Sequence, residues 1–414
     1  MIGPMEQPSP LQEAPSAAGD DRLRRRPSPV LLYWIGFLAD VGAGIVVVAL
    51  PFAAMQLGAT VSAVGIIGGL FMGLYAVACL LVGPFIDRVR PRRVMLFGQI
   101  AQGAVSLLMG LAGQQWLLLA LSGSFGALMV TIWPPALSWL SHGHEGPTLN
   151  RRLAWFNVSW CSGLVLGPLI GGVLYGRLGP LAAFSAAALV LAGSGLLALL
   201  VTEPQPTPHH GRREEEAGPV IAARPDAAVF RFMARVSVVV CTAAAGLQRF
   251  QVPSLAKSLR VSEEVFGFVM FLLSLGNMIC FLVLGRTQRW HYRAWMLWAA
   301  QLAIAAATLW LVRAQHAWQL AVVAAATGLC GGIAYSSSLY YGVSGGRRRA
   351  ALAAIHEMLL SAGFVTGAIG SGMLSRHYEL RTPYPVLATV IAAAVFVQIV
   401  AYIIVMLRVR SRGL

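Results

Sequence analysis

Ionisable residues interrupt three long apolar stretches of the chain, at Asp40, at Arg249 and at the adjacent pair His356 and Glu357. Inserting such a side chain into hydrocarbon costs roughly 2.5–3.5 kcal/mol, so one that is kept inside a membrane usually faces a cavity and has a function. Carboxyl and imidazole groups can take up and release protons. We therefore predict that Asp40, Glu357 and His356 exchange protons. A guanidinium can bind an anionic group of a substrate, which is the prediction for Arg249 and its neighbour Gln248.

Each of these residues also has a purely structural interpretation. Asp40 could be held by nearby hydroxyl or amide donors. His356 and Glu357 could form an interhelical hydrogen bond that fastens two helices. Arg249 lies near the end of its apolar stretch, where its long side chain could extend to the outer lipid headgroups.

Aromatic and hydroxyl side chains are concentrated at residues 335–341, which read YSSSLYY. Rings and hydroxyls together suit a cavity that holds an amphipathic solute. We predict that Tyr335, Ser336 and Trp133 bind such a solute together with Asp40. Trp133 precedes two prolines, which predict a kink in its helix. The last two tyrosines of the segment could instead belong to an aromatic belt at the membrane surface.

Membrane-spanning helices are the elements that would place these residues in apolar surroundings. Hydrophobic residues make up 57% of the 414-residue chain and charged residues only 11%, and a soluble domain could not bury that much apolar surface. A helix needs about 20 apolar residues to cross a hydrocarbon core of ~30 Å. The sequence therefore predicts an all-α integral membrane protein with twelve transmembrane helices. These spans, numbered here in chain order, are 30–55, 61–86, 94–113, 115–140, 153–176, 180–202, 232–254, 263–285, 294–313, 316–343, 349–375 and 384–407.

The basic residues predict the orientation of these spans. Most of the 31 lysines and arginines lie in alternate connecting segments, and the segments between them hold few. Because positive residues stay on the cytoplasmic side during insertion, both termini are predicted to be cytoplasmic, in a bacterial inner (plasma) membrane. The net charge of +15 then reflects topology and contact with anionic lipids rather than nucleic-acid binding.

An internal duplication is indicated by matches between the two parts of the chain at an offset of about 200 residues, such as Gly163 with Gly363. Parallel repeats of this kind are a transporter architecture, with the substrate site between the repeats near the bilayer midplane. We expect two pseudo-symmetric six-helix halves. The predicted segments are a disordered cytoplasmic tail (1–29), an N-terminal half (30–202), a cytoplasmic linker rich in proline and charge (203–228), a C-terminal half (229–407) and a cytoplasmic tail (408–414).

The connection between spans 2 and 3 carries the charged motif GPFIDRVRPRR at residues 83–93. It resembles the signature loop of the major facilitator superfamily, GxxxDRxGRR, although an Arg and a Pro replace two residues of that pattern. The resemblance implies a conformational latch, in which an acidic residue pairs with arginine and holds the two halves in one state. A glycine before it would let two helices approach closely. Anchoring of the loop at lipid headgroups is the alternative. The matching residues are Gly83, Asp87, Arg88, Arg92 and Arg93.

Span 5 carries GLVLGPLIGG at residues 163–172, which looks like the antiporter motif GxxxGPxxGG of the same superfamily. Small residues remove bulk from one helix face, and the proline bends the helix and frees a backbone carbonyl. We predict a seam for close helix packing between the halves, although simple helix packing would also explain the glycines. The residues concerned are Gly163, Gly167, Pro168, Gly171 and Gly172.

The resemblance covers roughly residues 30–410 and implies a secondary transporter that alternates between inward- and outward-open states. We expect proton-coupled export (antiport) of a small organic, amphipathic solute by a monomer that contacts membrane lipids. One departure weakens the likeness to drug antiporters, because Ser122 stands where they usually carry an Arg, four residues before Gly126. Proton-coupled uptake (symport) and a non-transporting receptor or scaffold are the alternatives.

An enzyme is not predicted. The sequence contains no HExxH or Walker motif, and each of these marks a common metal or nucleotide site. We expect no cofactor and no metal site.

Overall fold

The computed structural model describes residues 28–86, 89–141, 146–202, 226–343 and 349–411, which are mostly helical. The predicted tail at 1–29 and the predicted linker at 203–228 lie almost wholly outside these residues. Residues 412–414 of the predicted C-terminal tail and the motif residues Asp87 and Arg88 are also outside them.

Twelve helical spans cross the molecule in the part of the chain that the structure describes, as predicted. Helices suit hydrocarbon because their backbone groups bond to one another. By length and composition, eleven helices among the described residues could cross a membrane. The third span is not apolar enough to be counted among these eleven, because it contains two arginines and two glutamines. In span order the helices are Val30–Gln56, Val61–Ile86, Pro91–Gly110, Gln115–Leu128 with Trp133–Ser141, Gly146–Leu178, Pro180–Leu197, Ala227–Phe250 with Val252–Ser258, Glu263–Gly285, Ala294–Trp310, Ala317–Val343, Arg349–His377 and Pro383–Ser411.

Spans 4 and 7 are interrupted near their prolines. Span 4 tightens to a 3₁₀ turn at Met129–Thr131 and resumes at Trp133, immediately before the two prolines. Proline has no backbone N–H and clashes with the preceding turn, so the predicted kink is confirmed. Span 7 breaks at Gln251, two residues before Pro253. Helical structure also extends beyond several predicted boundaries: span 5 begins at residue 146, span 7 begins at residue 227, and span 12 continues to residue 411.

The two halves pack in the same pattern. Span 1 packs on span 5, span 2 on span 4 and span 3 on span 6, and the same contacts recur between spans 7 and 11, 8 and 10, and 9 and 12. The most extensive contacts between the halves are those of span 5 with span 8 and of span 2 with span 11. The halves are therefore pseudo-symmetric, and spans from both surround the centre of the bundle.

Glycines allow the close approach at both junctions between the halves. A Cβ atom placed on Gly172 of span 5 would lie 2.8 Å from the Cα of Gly267 in span 8. At the equivalent junction, a Cβ on Gly65 of span 2 would lie 3.2 Å from the Cα of Gly372 in span 11. Side chains at these positions would hold the helices apart, because contacts this short leave no room for a methyl group.

We call the side of the bundle where span 1 begins and span 12 ends the basic face, and the opposite side the far face. The far face is closed by contacts between the halves. Arg177 Nε lies 2.9 Å from Glu264 Oε1 in an exposed ion pair, and the rings of Phe52 and Phe266 lie 5.3 Å apart. The structure therefore shows the molecule sealed at the far face.

Candidate functional site

Asp40 lies at the centre of the molecule, on span 1, with a side chain that is only 3% exposed. Gly163 of span 5 makes room for it, since a Cβ on that glycine would lie 2.9 Å from the Asp40 Cβ. Among the described residues, the Asp40 Oδ2 atom has no hydrogen-bond partner. Its charge interacts with that of Arg249 on span 7. The structure thus brings an acid of one half and a base of the other together.

Arg249 faces the interior of the bundle. Its guanidinium carbon lies 5.6 Å from the centre of the Phe364 ring on span 11, and that ring is buried. This placement differs from the alternative in which the side chain extends to lipid headgroups. Its predicted partner Gln248 points elsewhere, because successive residues of a helix point in different directions. Gln248 is buried and donates a hydrogen bond to Thr327 of span 10.

His356 and Glu357 contact different parts of the molecule. His356 is buried, and its Nδ1 atom lies 2.9 Å from the Ser338 Oγ of span 10 in the same half. Glu357 is half-buried and interacts electrostatically with Tyr75 and Cys79 of span 2, in the other half. Adjacent helix positions therefore give one contact within the half and one across the interface between the halves.

Four aromatic rings form a series that crosses from the N-terminal to the C-terminal half. The ring centres of Trp133 and Trp160 lie 5.9 Å apart, those of Trp160 and Phe281 6.4 Å, and those of Phe281 and Tyr335 5.2 Å. The centre of the Tyr335 ring also lies 4.8 Å from the centre of the His356 ring. We call Trp133, Trp160, Phe281 and Tyr335 the ring series. All four side chains are half-buried.

The sequence identified two members of the ring series and missed the other two. Trp133 and Tyr335 were predicted, whereas Trp160 and Phe281 were not. A signal for Trp160 exists, since it lies one turn after Asn157, whose position in the internal repeat matches Glu357. Its indole Nε1 donates a hydrogen bond of 3.0 Å to the Asn157 Oδ1. No comparable sequence signal marks Phe281.

The predicted substrate residue Ser336 is half-buried, and the contact with His356 comes from Ser338. Ser338 lies three residues after Tyr335, so both project from the same helix face. Ser336 is rotated away from that face by about 100°.

The predicted latch is described only in part. Gly83 lies in the last turn of span 2, and Arg92 and Arg93 lie in the first turn of span 3. Asp87 and Arg88, which would form the latch itself, are outside the described residues. The latch stays a prediction.

The residues of the predicted helix-packing motif in span 5 contact two different helices, span 1 and span 8. A Cβ on Gly167 or Gly171 would meet the span 1 backbone, at 2.9 Å from the Gly44 Cα and 2.8 Å from the Ile45 Cα respectively. Gly163 also faces span 1, whereas Gly172 and the carbonyl of Pro168 face span 8. Only this second group lies between the halves. Residues of the described ranges contain no cluster of histidine, cysteine and acidic side chains that could hold a metal ion.

Twelve spans in two equivalent halves around buried charges define a membrane transporter. The sequence model of the Major Facilitator Superfamily matches residues 32–250 and 236–413. The chain belongs to this superfamily of secondary transporters.

Two curated relatives resemble part of the chain. The multidrug resistance protein MdtG of Enterobacter lignolyticus (strain SCF1) is 31% identical over 196 residues, which are 46% of this chain and 47% of that protein. MdtG of Serratia proteamaculans (strain 568) is 29% identical over 196 residues, with the same coverage of both chains. The chain thus spans about half the length of the curated relatives it matches.

Solved structures resemble the whole bundle. A bacterial homolog of the human lysosomal transporter Spinster, in an inward-facing and occupied conformation, superposes with a TM-score of 0.68 at 17% identity, covering 92% of this chain and 96% of that one. The nucleoside transporter NupG gives a TM-score of 0.69 at 13% identity, covering 91% and 98%. At these identities the comparison shows the fold alone.

Proposed function

We propose that this transporter exports a small organic, amphipathic solute in exchange for protons, as a monomer in the bacterial inner membrane. The observation that carries the proposal is Asp40, a buried acid of one half that faces Arg249 of the other. The basic face would be cytoplasmic, with both termini on that side. The partial likeness to two multidrug resistance proteins supports export over uptake.

The interaction of Asp40 with Arg249 explains how a proton could drive the transport cycle. Ionised Asp40 attracts Arg249 and stabilises the state in which both lie close together, which is the state sealed at the far face. Protonation removes the attraction and makes this state less stable. A proton shifts a conformational equilibrium only through such a difference between states. Glu357 would be a second proton site, because it too interacts electrostatically with the opposite half. His356, hydrogen-bonded to Ser338, is the chain neighbour of Glu357 and would take part in the same proton exchange.

Everted membrane vesicles with an acidic interior provide the test. An exporter that exchanges solute for protons accumulates solute inside such vesicles, whereas a symporter expels it. A panel of amphipathic cationic, anionic and neutral solutes should include one that accumulates. We expect Asp40→Asn to lower the accumulation at least about tenfold, since a loss of 1.4 kcal/mol in coupling has that effect.

Glu357→Gln should also lower accumulation, and Glu379→Gln is the control, because Glu379 is exposed near the far face. If proton-driven accumulation survives both Asp40→Asn and Glu357→Gln, the coupling assignment is wrong. Expulsion would support symport. Saturable binding of a solute with no flux would support a receptor.

A further inference from the structure

We infer that the ring series binds the aromatic part of a monovalent organic cation, with Glu357 as the counter-charge. The inference rests on the proposed function, since it names the class of solute that the transporter would carry. Two rings come from spans 4 and 5 of the N-terminal half and two from spans 8 and 10 of the C-terminal half. A solute against all four rings would therefore contact both halves.

The balance of charges favours a cation. Asp40 and Arg249 interact with each other, so their charges compensate. Glu357 interacts with the side chains of Tyr75 and Tyr335, and neither carries a positive charge. Of these three ionisable residues at the centre of the bundle, Glu357 is therefore the one whose charge another group must balance. An unpaired charge in apolar surroundings is costly, and a bound cation would remove that cost.

The rings favour a cation that is itself aromatic or surrounded by apolar groups. Tryptophan and tyrosine faces attract cations through their π electrons, and offset or edge-to-face ring pairs favour centre distances of about 4.5–7 Å. The Trp133–Trp160 and Trp160–Phe281 pairs are already edge-to-face. Tyr335 links Glu357 to the ring series, because its ring lies 5.2 Å from that of Phe281 and 4.8 Å from that of His356, the chain neighbour of Glu357. Tyr335 and Glu357 also interact electrostatically. Charge and rings thus belong to one site.

An anion would have a less suitable site. The one guanidinium identified at the centre of the bundle, that of Arg249, already faces Asp40 and the Phe364 ring. An anion would have to displace Asp40 from it.

Two probe ions of the same size and shape but opposite charge test the inference directly. Tetraphenylphosphonium is a monovalent cation and tetraphenylborate is the matching anion, so a difference between them reports charge alone. Binding of each to the purified full-length protein in detergent would be measured by equilibrium dialysis, with empty micelles subtracted. We expect tetraphenylphosphonium to bind about tenfold more tightly or better. Glu357→Gln should weaken its binding about tenfold and leave tetraphenylborate unaffected.

Trp160→Ala should also weaken tetraphenylphosphonium binding about tenfold, because it removes the central indole of the series. Trp155→Ala is the matched control, since Trp155 lies on the same span and is 59% exposed. Equal binding of the two ions, or full tetraphenylphosphonium affinity in Glu357→Gln, would overturn the inference. These outcomes are independent of coupling. A protein that binds the cation but shows no proton-driven flux supports the site and contradicts the proposed function.

Discussion

At the residue scale, each central acid interacts electrostatically with a residue of the opposite half of the molecule. Asp40 interacts with Arg249, and Glu357 with Tyr75. Any movement of one half against the other must change both contacts. Acids placed in this way can convert the gain or loss of a proton into a preference for one arrangement of the halves.

Removal of Asp40 should therefore destabilise the protein, and removal of its partner should reverse part of the effect. We expect Asp40→Ala to lower the free energy of unfolding by roughly 1–3 kcal/mol, less than for a fully buried pair because Arg249 is partly exposed. The double variant Asp40→Ala/Arg249→Ala should regain about 1 kcal/mol or more, since no charge is left uncompensated. Denaturation in detergent measures both. Additive effects would show that the two residues act independently.

Sequence reasoning found the site residues that stand out chemically and missed those that depend on packing. Asp40 was identifiable because a carboxylate in a long apolar stretch has few explanations. Phe281 was not, because one more aromatic residue in a membrane helix is ordinary until its neighbours are known. Ser336 and Ser338 show the same limit, since the register of span 10 against span 11 decides which serine reaches His356.

At the element scale, glycine contacts set how closely the spans of the two halves approach. The junction of Gly172 with Gly267 has its equivalent in that of Gly65 with Gly372. Both lie toward the far face, at the end of span 5 or 11 and the beginning of span 8 or 2. Each junction would have to separate when the far face opens.

A larger residue at one junction should prevent closure of the far face. We expect Gly172→Val to lower transport at least about tenfold, because a contact of 2.8 Å leaves no space for the added atoms. Gly370→Val is the control, since a Cβ at that helical glycine meets nothing within 4 Å. Labelling of a cysteine at position 264 by an impermeant reagent should increase in Gly172→Val. Unchanged labelling and transport would contradict this role for the junction.

Buried amides hold the spans of the C-terminal half together. The amide groups of Gln301 in span 9 and Gln398 in span 12 form two reciprocal hydrogen bonds of 3.0 and 2.8 Å, and Ser237 of span 7 donates to Gln398 at 3.4 Å. All three side chains are fully buried. Polar pairs of this kind fasten helices in membranes.

Removing one amide of the Gln301–Gln398 pair should lower the stability of the protein more than removing both. We expect Gln398→Leu to lower the free energy of unfolding by about 1–3 kcal/mol, because the Gln301 amide is left buried without its partner. The double variant Gln301→Leu/Gln398→Leu should be closer to the wild-type protein, since both polar groups are gone. Thermal unfolding of the three proteins in one detergent decides the matter. A double variant less stable than Gln398→Leu would be the contrary result.

At the scale of the whole molecule, much of the architecture could be predicted from the sequence. The number of spans follows from hydropathy, because each must cross ~30 Å of hydrocarbon. The equivalence of the halves follows from repeated positions such as Gly163 and Gly363. The conformation could not be predicted, since the same helices must form every state of the cycle and only contacts such as Arg177 with Glu264 distinguish them.

Topology is a separate prediction at this scale. Reporter fusions at residue 28 and after residue 411 should both indicate a cytoplasmic location, because arginines are concentrated in the loops of that face. A fusion in the far-face loop at Glu379 should indicate the opposite side. Termini on opposite sides of the membrane would contradict the twelve-span arrangement in the cell.

The ion pair between Arg177 and Glu264 predicts that the resting protein favours the state closed at the far face. Charge removal in Arg177→Gln or Glu264→Gln should increase the fraction of molecules open at the far face, because an attraction that joins spans 5 and 8 is lost. The exchanged pair Arg177→Glu/Glu264→Arg should restore the original fraction. Distances between spin labels on the two halves would report it. If the exchanged pair behaves like the single variants, the attraction is not what holds this face.

Because this pair lies at the surface, dissolved ions reach it directly. The Debye length shortens from about 30 Å at 0.01 M salt to about 8 Å at 0.15 M, so dilute surroundings would strengthen the attraction and saline ones would weaken it. The balance between the two orientations of the carrier would then vary with the salt concentration at the far face, even at constant pH and constant solute supply. Salt at this face would thus alter the resting position of the protein without any change in its expression.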